Sequence, residues 1–280
     1  MARLLYLDEA GTSGAQHESI ATVAGLIVGA DAPLTQLYAS LEEIRSRHLP
    51  GRPNYVIHSS EIYSGIGNVF GEHRPDHDLA KRAAILSDLA ALPKKLDLAV
   101  VAASVDLREL ATDIGREVSP TQLGAIAHAV LYLGCILQTD SWLHAMAPTE
   151  NGFAVGENAN SSRRLIVEIH RQWQELKSRR VERVQEGPLI QEKRAGNPLV
   201  LADFLAFISK RVATGDADAL QFQEPWIEQM QWSSAVNPET TWVTVDVNET
   251  RKVRFLASTL RSRPTTTRVH APDASGEIES

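Results

Sequence analysis

The chain lacks two features whose absence excludes whole classes of protein. Cys135 is the only cysteine among 280 residues, so an internal disulfide framework and a cysteine-built zinc site are both excluded. Its neighbours are mostly leucine and isoleucine, and we therefore expect a buried, unreactive thiol. No apolar run reaches the roughly 20 residues that span a bilayer, and the N-terminal run is too short for a signal peptide. We expect a cytoplasmic protein with no membrane partner.

Several catalytic signatures are also missing. The sequence contains no Gly-x-x-x-x-Gly-Lys-Ser/Thr phosphate loop, no Gly-x-Gly-x-x-Gly turn after a strand, no Gly-x-Ser-x-Gly elbow and no His-Glu-x-x-His helix. His73 and His77 are four residues apart, but Pro75 between them disfavours a helical metal pair. The common nucleotide-binding, serine-hydrolase and zinc-peptidase motifs are therefore not available to explain the function.

The composition is that of a globular protein, with 43% hydrophobic and 22% charged residues. Apolar runs predict strands over residues 4–7, 20–28, 96–105 and 152–156. Apolar residues at helical spacing predict helices over 34–48, 78–92, 120–144, 161–184 and 198–211. This mixture favours an α/β protein with a mixed central sheet. We assign residues 1–213 to one domain and residues 214–260 to an extension packed on it. The extension includes a predicted strand at 240–247. Residues 261–280 are predicted to form a flexible tail.

The charge is unevenly distributed, although the net charge is only -7. Residues 161–211 carry 11 basic and 6 acidic residues, whereas the rest of the chain has an excess of 12 negative charges. A basic strip on an acidic body attracts polyanions, but it is equally typical of a solvated helix face. If it binds nucleic acid, the candidate residues are Arg163, Arg164, Arg171 and Lys177, and the same predicted helix also carries Arg179, Arg180 and Arg183.

Three carboxylates lie where a carboxylate is costly to bury. Asp8 ends the first strand on the same face as Tyr6, and Glu157 follows the 152–156 strand in the same way. Asp203 lies on a helix among apolar neighbours at three- and four-residue spacing. Each could instead be a turn former, a cap or a partner of an arginine. Clustered carboxylates repel one another, and a hard cation such as Mg²⁺ or Mn²⁺ relieves that repulsion.

Three motifs give the chain a resemblance to a known family. The segments Tyr6-Leu7-Asp8-Glu9-Ala10-Gly11, His58-Ser59-Ser60-Glu61 and Pro198-Leu199-Val200-Leu201-Ala202-Asp203 resemble the motifs of the domain-of-unknown-function family 3800. The resemblance covers roughly residues 1–212. It implies a ribonuclease-H-like fold and a metal-dependent nuclease. Ala10 stands where the family commonly has serine, and Glu157 stands where relatives usually offer an aspartate.

The resemblance also implies roles for individual residues. Asp8, Glu157 and Asp203 would hold Mg²⁺ or Mn²⁺. Glu9 is a further candidate ligand if the turn reorients it from the opposite face of the strand. His58 and Glu61 would approach the site as supporting groups or as a proton shuttle.

Three functions are compatible with these residues. The first is a nuclease that hydrolyses phosphodiester bonds of DNA or RNA with Mg²⁺ or Mn²⁺. The second is a component that binds nucleic acid or protein without hydrolysis and retains the fold. The third is a metal hydrolase acting on a small phosphorylated molecule, which the acidic overall charge favours.

Overall fold

The computed structural model describes residues 1–12, 18–65, 79–115, 117–157, 160–175, 181–185, 188–230, 242–248 and 251–256. Its centre is a five-stranded mixed sheet in the order β3-β2-β1-β4-β5. The strands are β1 (Ala2–Ala10), β2 (Ile20–Gly29), β3 (Ala99–Asp106), β4 (Asn151–Gly156) and β5 (Leu189–Ile190). β2 is antiparallel to β1 and to β3, whereas β1, β4 and β5 are parallel to one another.

Helices cover both faces of this sheet, which confirms the predicted α/β class with a mixed sheet. On one face lie α4 (Leu107–Ile114), α5 (Pro120–Met146) and α6 (Asn160–Glu175). On the other lie α1 (Ala32–His48), α2 (Ser59–Ser64), α3 (Leu79–Lys95), α7 (Leu199–Ala213) and α8 (Ala217–Gln223), followed by a 3₁₀ helix (Glu224–Met230). Because both faces are covered, the strands read as continuous apolar runs. A separate antiparallel pair comprises β6 (Trp242–Asn248) and β7 (Arg251–Leu256).

Several local predictions were wrong. α3 continues through Pro93 to Lys95. Residues 59–64, predicted as loop, form α2, which ends at Gly65 in the left-handed conformation. The basic helix ends at Glu175 instead of continuing to Val184, which forms a bridge with Gly152 beside β4. α4, which the sequence reading missed, begins where Asp106 accepts hydrogen bonds from two backbone amides. α7 begins at Leu199, one residue later than predicted.

The long helix α5 forms the apolar centre of one face. It begins with a capping box in which Ser119 and Gln122 satisfy each other's backbone amides. By length and composition it could also cross a membrane, which the apolar runs alone did not suggest. However, 67% of that apolar window is buried inside the protein, as in the core helix of a globular domain, so it is weak evidence for a membrane.

The segment after α7 packs on the second face of the sheet. α8 and the 3₁₀ helix contribute Phe222 and Trp226 to the same core cluster as α7, and Trp226 is fully buried. The predicted strand at 240–247 corresponds to β6. The predicted tail at 261–280 lies outside the described residues.

Asp140 of α5 holds the segment that follows α6. Its Oδ1 accepts hydrogen bonds from the backbone amides of Glu182, Arg183 and Val184 at 3.0, 2.6 and 3.1 Å. The Asp140 side chain is buried, and its loss would leave three backbone amides without their carboxylate acceptor. We expect Asp140→Ala to lower the free energy of unfolding by about 3 kcal/mol, measured by urea denaturation. Asp113→Ala, at an exposed site on α4, is the control. A loss at Asp140 no larger than that of the control would contradict this role.

Candidate functional site

The candidate site lies at the carboxyl ends of β1 and β4, which are adjacent and parallel. Within the sheet, β2 lies next to β1 toward one edge, and β5 lies next to β4 toward the other edge. The carboxyl ends of parallel strands are a common place for ligands in α/β sheets. Asp8 lies near the end of β1, and Glu157 follows β4 directly.

Three carboxylates surround the ammonium group of Lys193. The Lys193 Nζ lies 2.6 Å from Asp8 Oδ2, 3.1 Å from Glu157 Oε2 and 3.0 Å from Asp203 Oδ1. The Lys193 side chain is only 6% exposed and Asp8 is buried, whereas Glu157 is partly open to solvent. The structure therefore brings together the three acids that the sequence singled out, around a cation that it did not.

The electrostatics of this cluster are dominated by burial. Burial raises the pKa of Asp8 well above its usual range, with Lys193 opposing the shift and Asp203 and Glu9 adding to it. Burial alone would lower the pKa of Lys193, but its carboxylate neighbours together outweigh it and hold that pKa above its ordinary value. Three carboxylates against one ammonium leave two negative charges if all are ionised.

Backbone amides fix the orientation of two of the carboxylates. Ser59, at the start of α2, donates its amide hydrogen to Asp203 Oδ2 at 2.8 Å. The amide of Glu9 donates to Asp8 Oδ1 at 2.9 Å. Each carboxylate thus has one oxygen bound to backbone and the other directed to Lys193. Such supporting bonds are typical of carboxylates that have to hold a defined geometry.

Glu9 points to the opposite face of β1, as strand alternation predicts. Its Oε2 lies 3.6 Å from His128 Nε2, and His128 Nδ1 is hydrogen-bonded to the Ser162 hydroxyl at 2.7 Å. Burial lowers the pKa of His128 to about 4, so its imidazole is neutral at pH 7. Burial also raises the pKa of Glu9, and the charge of Glu157 adds to that shift. Glu9 therefore lies beside His128, while Asp8 and Lys193 both act to lower its pKa.

A small pocket opens on the Glu9 side of the site. It lies between α5, α6 and the ends of β1 and β4. Its wall includes Tyr132, whose buried hydroxyl has no hydrogen-bond partner among the described residues. Glu157 contributes to both the pocket and the Lys193 cluster, so the two are contiguous. The lining residues are Leu7, Glu9, His128, Tyr132, Gly156, Glu157, Arg163, Ile166, Pro188 and Ile190.

The two supporting residues suggested by sequence lie on the second face of the sheet. His58 is the residue before α2, next to the amide that Ser59 donates to Asp203. Glu61 accepts a hydrogen bond of 2.5 Å from the Tyr55 hydroxyl. The structure thus brings His58 to the edge of the cluster and shows Glu61 bonded to a neighbouring tyrosine.

The predicted basic residues are divided between the pocket and the open surface. Arg163 lines the pocket beside Glu157, and Arg164 is exposed on the same turn of α6. Arg171, also exposed, forms an ion pair of 3.1 Å with Glu168. Lys177 lies outside the described residues. Of the residues predicted to bind nucleic acid, Arg163 is therefore the one that the described structure brings next to a candidate site acid.

The donor chemistry of the cluster fits a hard divalent cation, since all of its anionic ligands are oxygens. In the described part of the chain, no three His, Cys, Asp or Glu side chains are already spaced to hold a metal ion. The carboxylates are instead spaced around an ammonium group. A metal would thus meet suitable ligands, but it would have to draw them together in place of Lys193.

Sequence reasoning missed Lys193, His128 and Ser162. Lys193 lies between β5 and α7 in a segment without regular structure, so no periodicity reveals where its side chain points. His128 is the one polar residue between Leu123 and Leu131 of α5, a pattern more often found in ordinary cores. The one usable signal was that Lys193 precedes Asp203 by ten residues in the basic strip.

Comparison with known proteins identifies no relative: no protein-family model matches the chain, and no curated protein matches it significantly.

Proposed function

We propose that this protein is a divalent-metal-dependent nuclease that hydrolyses phosphodiester bonds of nucleic acid. The observation that carries the proposal is the convergence of Asp8, Glu157 and Asp203 on one point. These residues come from β1, the end of β4 and α7. Clustering three acids, one of which is fully buried, is unfavourable for folding alone, which argues for a functional reason.

The residual charge of the cluster supports the choice of cation. When all three carboxylates are ionised, Lys193 compensates one of them, and the remaining two negative charges match one divalent ion. Asp8, Glu157 and Asp203 would hold Mg²⁺ or Mn²⁺ through oxygen atoms. When bound, such an ion lowers the pKa of a coordinated water and stabilises the charge that develops on phosphate oxygens.

The protein's own groups would position the substrate. Arg163 lies beside Glu157 at the pocket and can bind a backbone phosphate next to the cluster. Arg164, exposed one residue further along α6, can extend that contact. Glu9 lies near His128, on the opposite side of β1 from Asp8. It would be a further acid beside the reacting phosphate, in addition to the three that would hold the metal.

The finer fold assignment belongs to the same proposal. A five-stranded sheet with one antiparallel inner strand, helices on both faces and acids at the ends of neighbouring parallel strands supports a ribonuclease-H-like fold. We also propose a cytoplasmic location, on the grounds that the chain has one cysteine and that α5 is largely buried.

One observation favours a second function, a component that binds nucleic acid or protein without hydrolysis. Lys193 already gives each of the three carboxylates a partner, so the cluster can persist as a buried ion-pair network. In that case the acids would be structural, and neutralising one of them would not change binding to a partner.

The deciding experiment measures Mn²⁺ and Mg²⁺ binding by calorimetry and cleavage of labelled DNA and RNA, for the wild type and Asp203→Asn. Asparagine keeps an oxygen for the Ser59 amide but removes the charge. We expect the wild type to bind metal and to cleave. Loss of a group that merely supports a metal ligand costs roughly 10- to 100-fold in metal affinity or activity. Because Asp203 would be a ligand itself, we expect the variant to lose at least as much.

Asp113→Asn makes the same substitution at an exposed site on α4 and should behave as the wild type. A wild-type protein that binds neither metal and cuts neither polymer, while a control nuclease does, would exclude the nuclease. If nucleic-acid binding is then retained in both variants, the second function is supported.

A further inference from the structure

Lys193 occupies the point at which the carboxylates meet. Its ammonium group has three N–H donors, and three carboxylates lie within 3.1 Å of it. A fourth, Glu9, is close enough to share in the electrostatics, since Lys193 lowers the pKa that burial raises there. Asp203 accepts a hydrogen bond from Lys193, and Asp8 and Glu157 form ion pairs with it, so the charge of the lysine is directed into the site.

An ammonium group and a divalent ion would compete for these oxygens. Mg²⁺ binds oxygen at about 2.0–2.1 Å, which is closer than any of the three distances to Lys193 Nζ. A cation bound at that distance would lie within a few ångströms of a buried ammonium charge. Two positive charges so close repel strongly where solvent screening is weak. Occupancy by one therefore disfavours occupancy by the other.

The segment that carries Lys193 allows the side chain to leave. Residues 191–194 have no regular structure, and the flanking residues Glu192 and Arg194 are exposed. The amide of Gln191 donates to the Gly156 carbonyl at 3.0 Å, which anchors the segment beside β4 just before the lysine. The flexible stem of lysine can therefore swing outward without dismantling the sheet.

We infer that Lys193 is an internal counter-ion that competes with the divalent cation for Asp8, Glu157 and Asp203, and so sets the metal affinity of the site. The inference rests on the proposed function, because it requires that the cluster bind metal. It assigns Lys193 a role in metal affinity that is distinct from the ligand roles of the acids. In the metal-free protein Lys193 keeps the acids together, and metal binding releases its ammonium group.

The test compares Mn²⁺ binding to the wild type, Lys193→Met and Lys193→Gln by calorimetry. Methionine keeps the length and much of the apolar volume of the lysine stem while removing the charge. Glutamine keeps an amide donor but carries no charge. We expect both variants to bind Mn²⁺ at least tenfold more tightly than the wild type, because the metal no longer has to displace a cation.

A second measurement remains informative if the variants fold poorly. Without Lys193 the three acids repel one another, so Mn²⁺ should raise the thermal midpoint of Lys193→Met much more than that of the wild type. If the variant is unfolded in EDTA, titration with Mn²⁺ should restore its circular dichroism spectrum. An unfolded variant that no concentration of Mn²⁺ restores would overturn the inference.

The matched control is Lys210→Met. Lys210 lies on the same helix as Asp203 and forms a partly buried ion pair with Glu18, so this variant also removes one ammonium group. Its Mn²⁺ affinity should stay near that of the wild type. If the wild type binds Mn²⁺ and the Lys193 variants bind it equally or more weakly, competition is overturned while the nuclease proposal stands. If neither the wild type nor any variant binds Mn²⁺, both the competition and the nuclease proposal are overturned.

Discussion

Gly25→Ala should abolish folding. Gly25 lies in the middle of β2, directly opposite Leu7 of β1. A Cβ atom added there would lie 1.8 Å from the Tyr6 carbonyl oxygen and 2.8 Å from the Leu7 Cδ2. The carbonyl belongs to the neighbouring strand, so relief requires β1 and β2 to separate at the centre of the sheet. We expect a loss above about 5 kcal/mol, within the range of the whole stability of a typical domain.

The measurement is circular dichroism together with urea denaturation of the purified variant. Gly29→Ala is the matched control, because it makes the same substitution at the end of the same strand. Its nearest atoms belong to the side chains of Asp31, Pro33 and Arg3, at 3.1 to 3.5 Å, and these can move. The control should change the free energy of unfolding by no more than about 1 kcal/mol. A folded Gly25→Ala with stability near that of the control would contradict the close approach of β1 and β2.

Asp8→Asn should change stability and metal binding in opposite directions. The Asp8 carboxylate is 4% exposed, and burial raises its pKa well above the usual range. Asparagine has nearly the same shape, retains an oxygen for the Glu9 amide and carries no charge to desolvate. We expect the metal-free variant to be more stable than the wild type near pH 7 by about 1 kcal/mol, and its Mn²⁺ binding to be lost.

The sign of the pH dependence follows from the direction of the shift. Because the folded state holds the Asp8 proton more tightly than the unfolded chain, this group stabilises the fold below its unfolded pKa of about 4. That contribution is lost as the pH rises through the raised folded value. The stability advantage of Asp8→Asn should therefore grow between acid and neutral pH, as measured by urea denaturation in EDTA. A variant less stable than the wild type at pH 7 would show that the ion pair with Lys193 outweighs the cost of burial.

The strands were predictable from sequence because their signal is local. β1, β2 and β4 are continuous apolar runs that end at polar or glycine residues, and alternation along β1 predicted that Asp8 and Glu9 face opposite sides. α2 and α4 were missed for a different reason. They have six and eight residues, and each is stabilised by contacts or caps instead of a long amphipathic pattern.

The site was predictable only in part. Asp8, Glu157 and Asp203 could be recognised because each carboxylate interrupts an apolar pattern. Lys193 could not, since a lysine in an irregular segment is most often solvated. Its burial results from the parallel pairing of β1 with β4 and the return of the chain through β5 to α7. These are long-range contacts, which no local pattern encodes.

The single cysteine gives the molecule an intrinsic reporter of opening. Cys135 is fully buried between α5 and the sheet, and its Sγ lies 3.5 Å from the Val23 carbonyl oxygen of β2. Burial raises the pKa of its thiol, so the reactive thiolate forms only when solvent reaches it. The rate of modification by a thiol reagent therefore counts the excursions in which α5 separates from β2, without any introduced label.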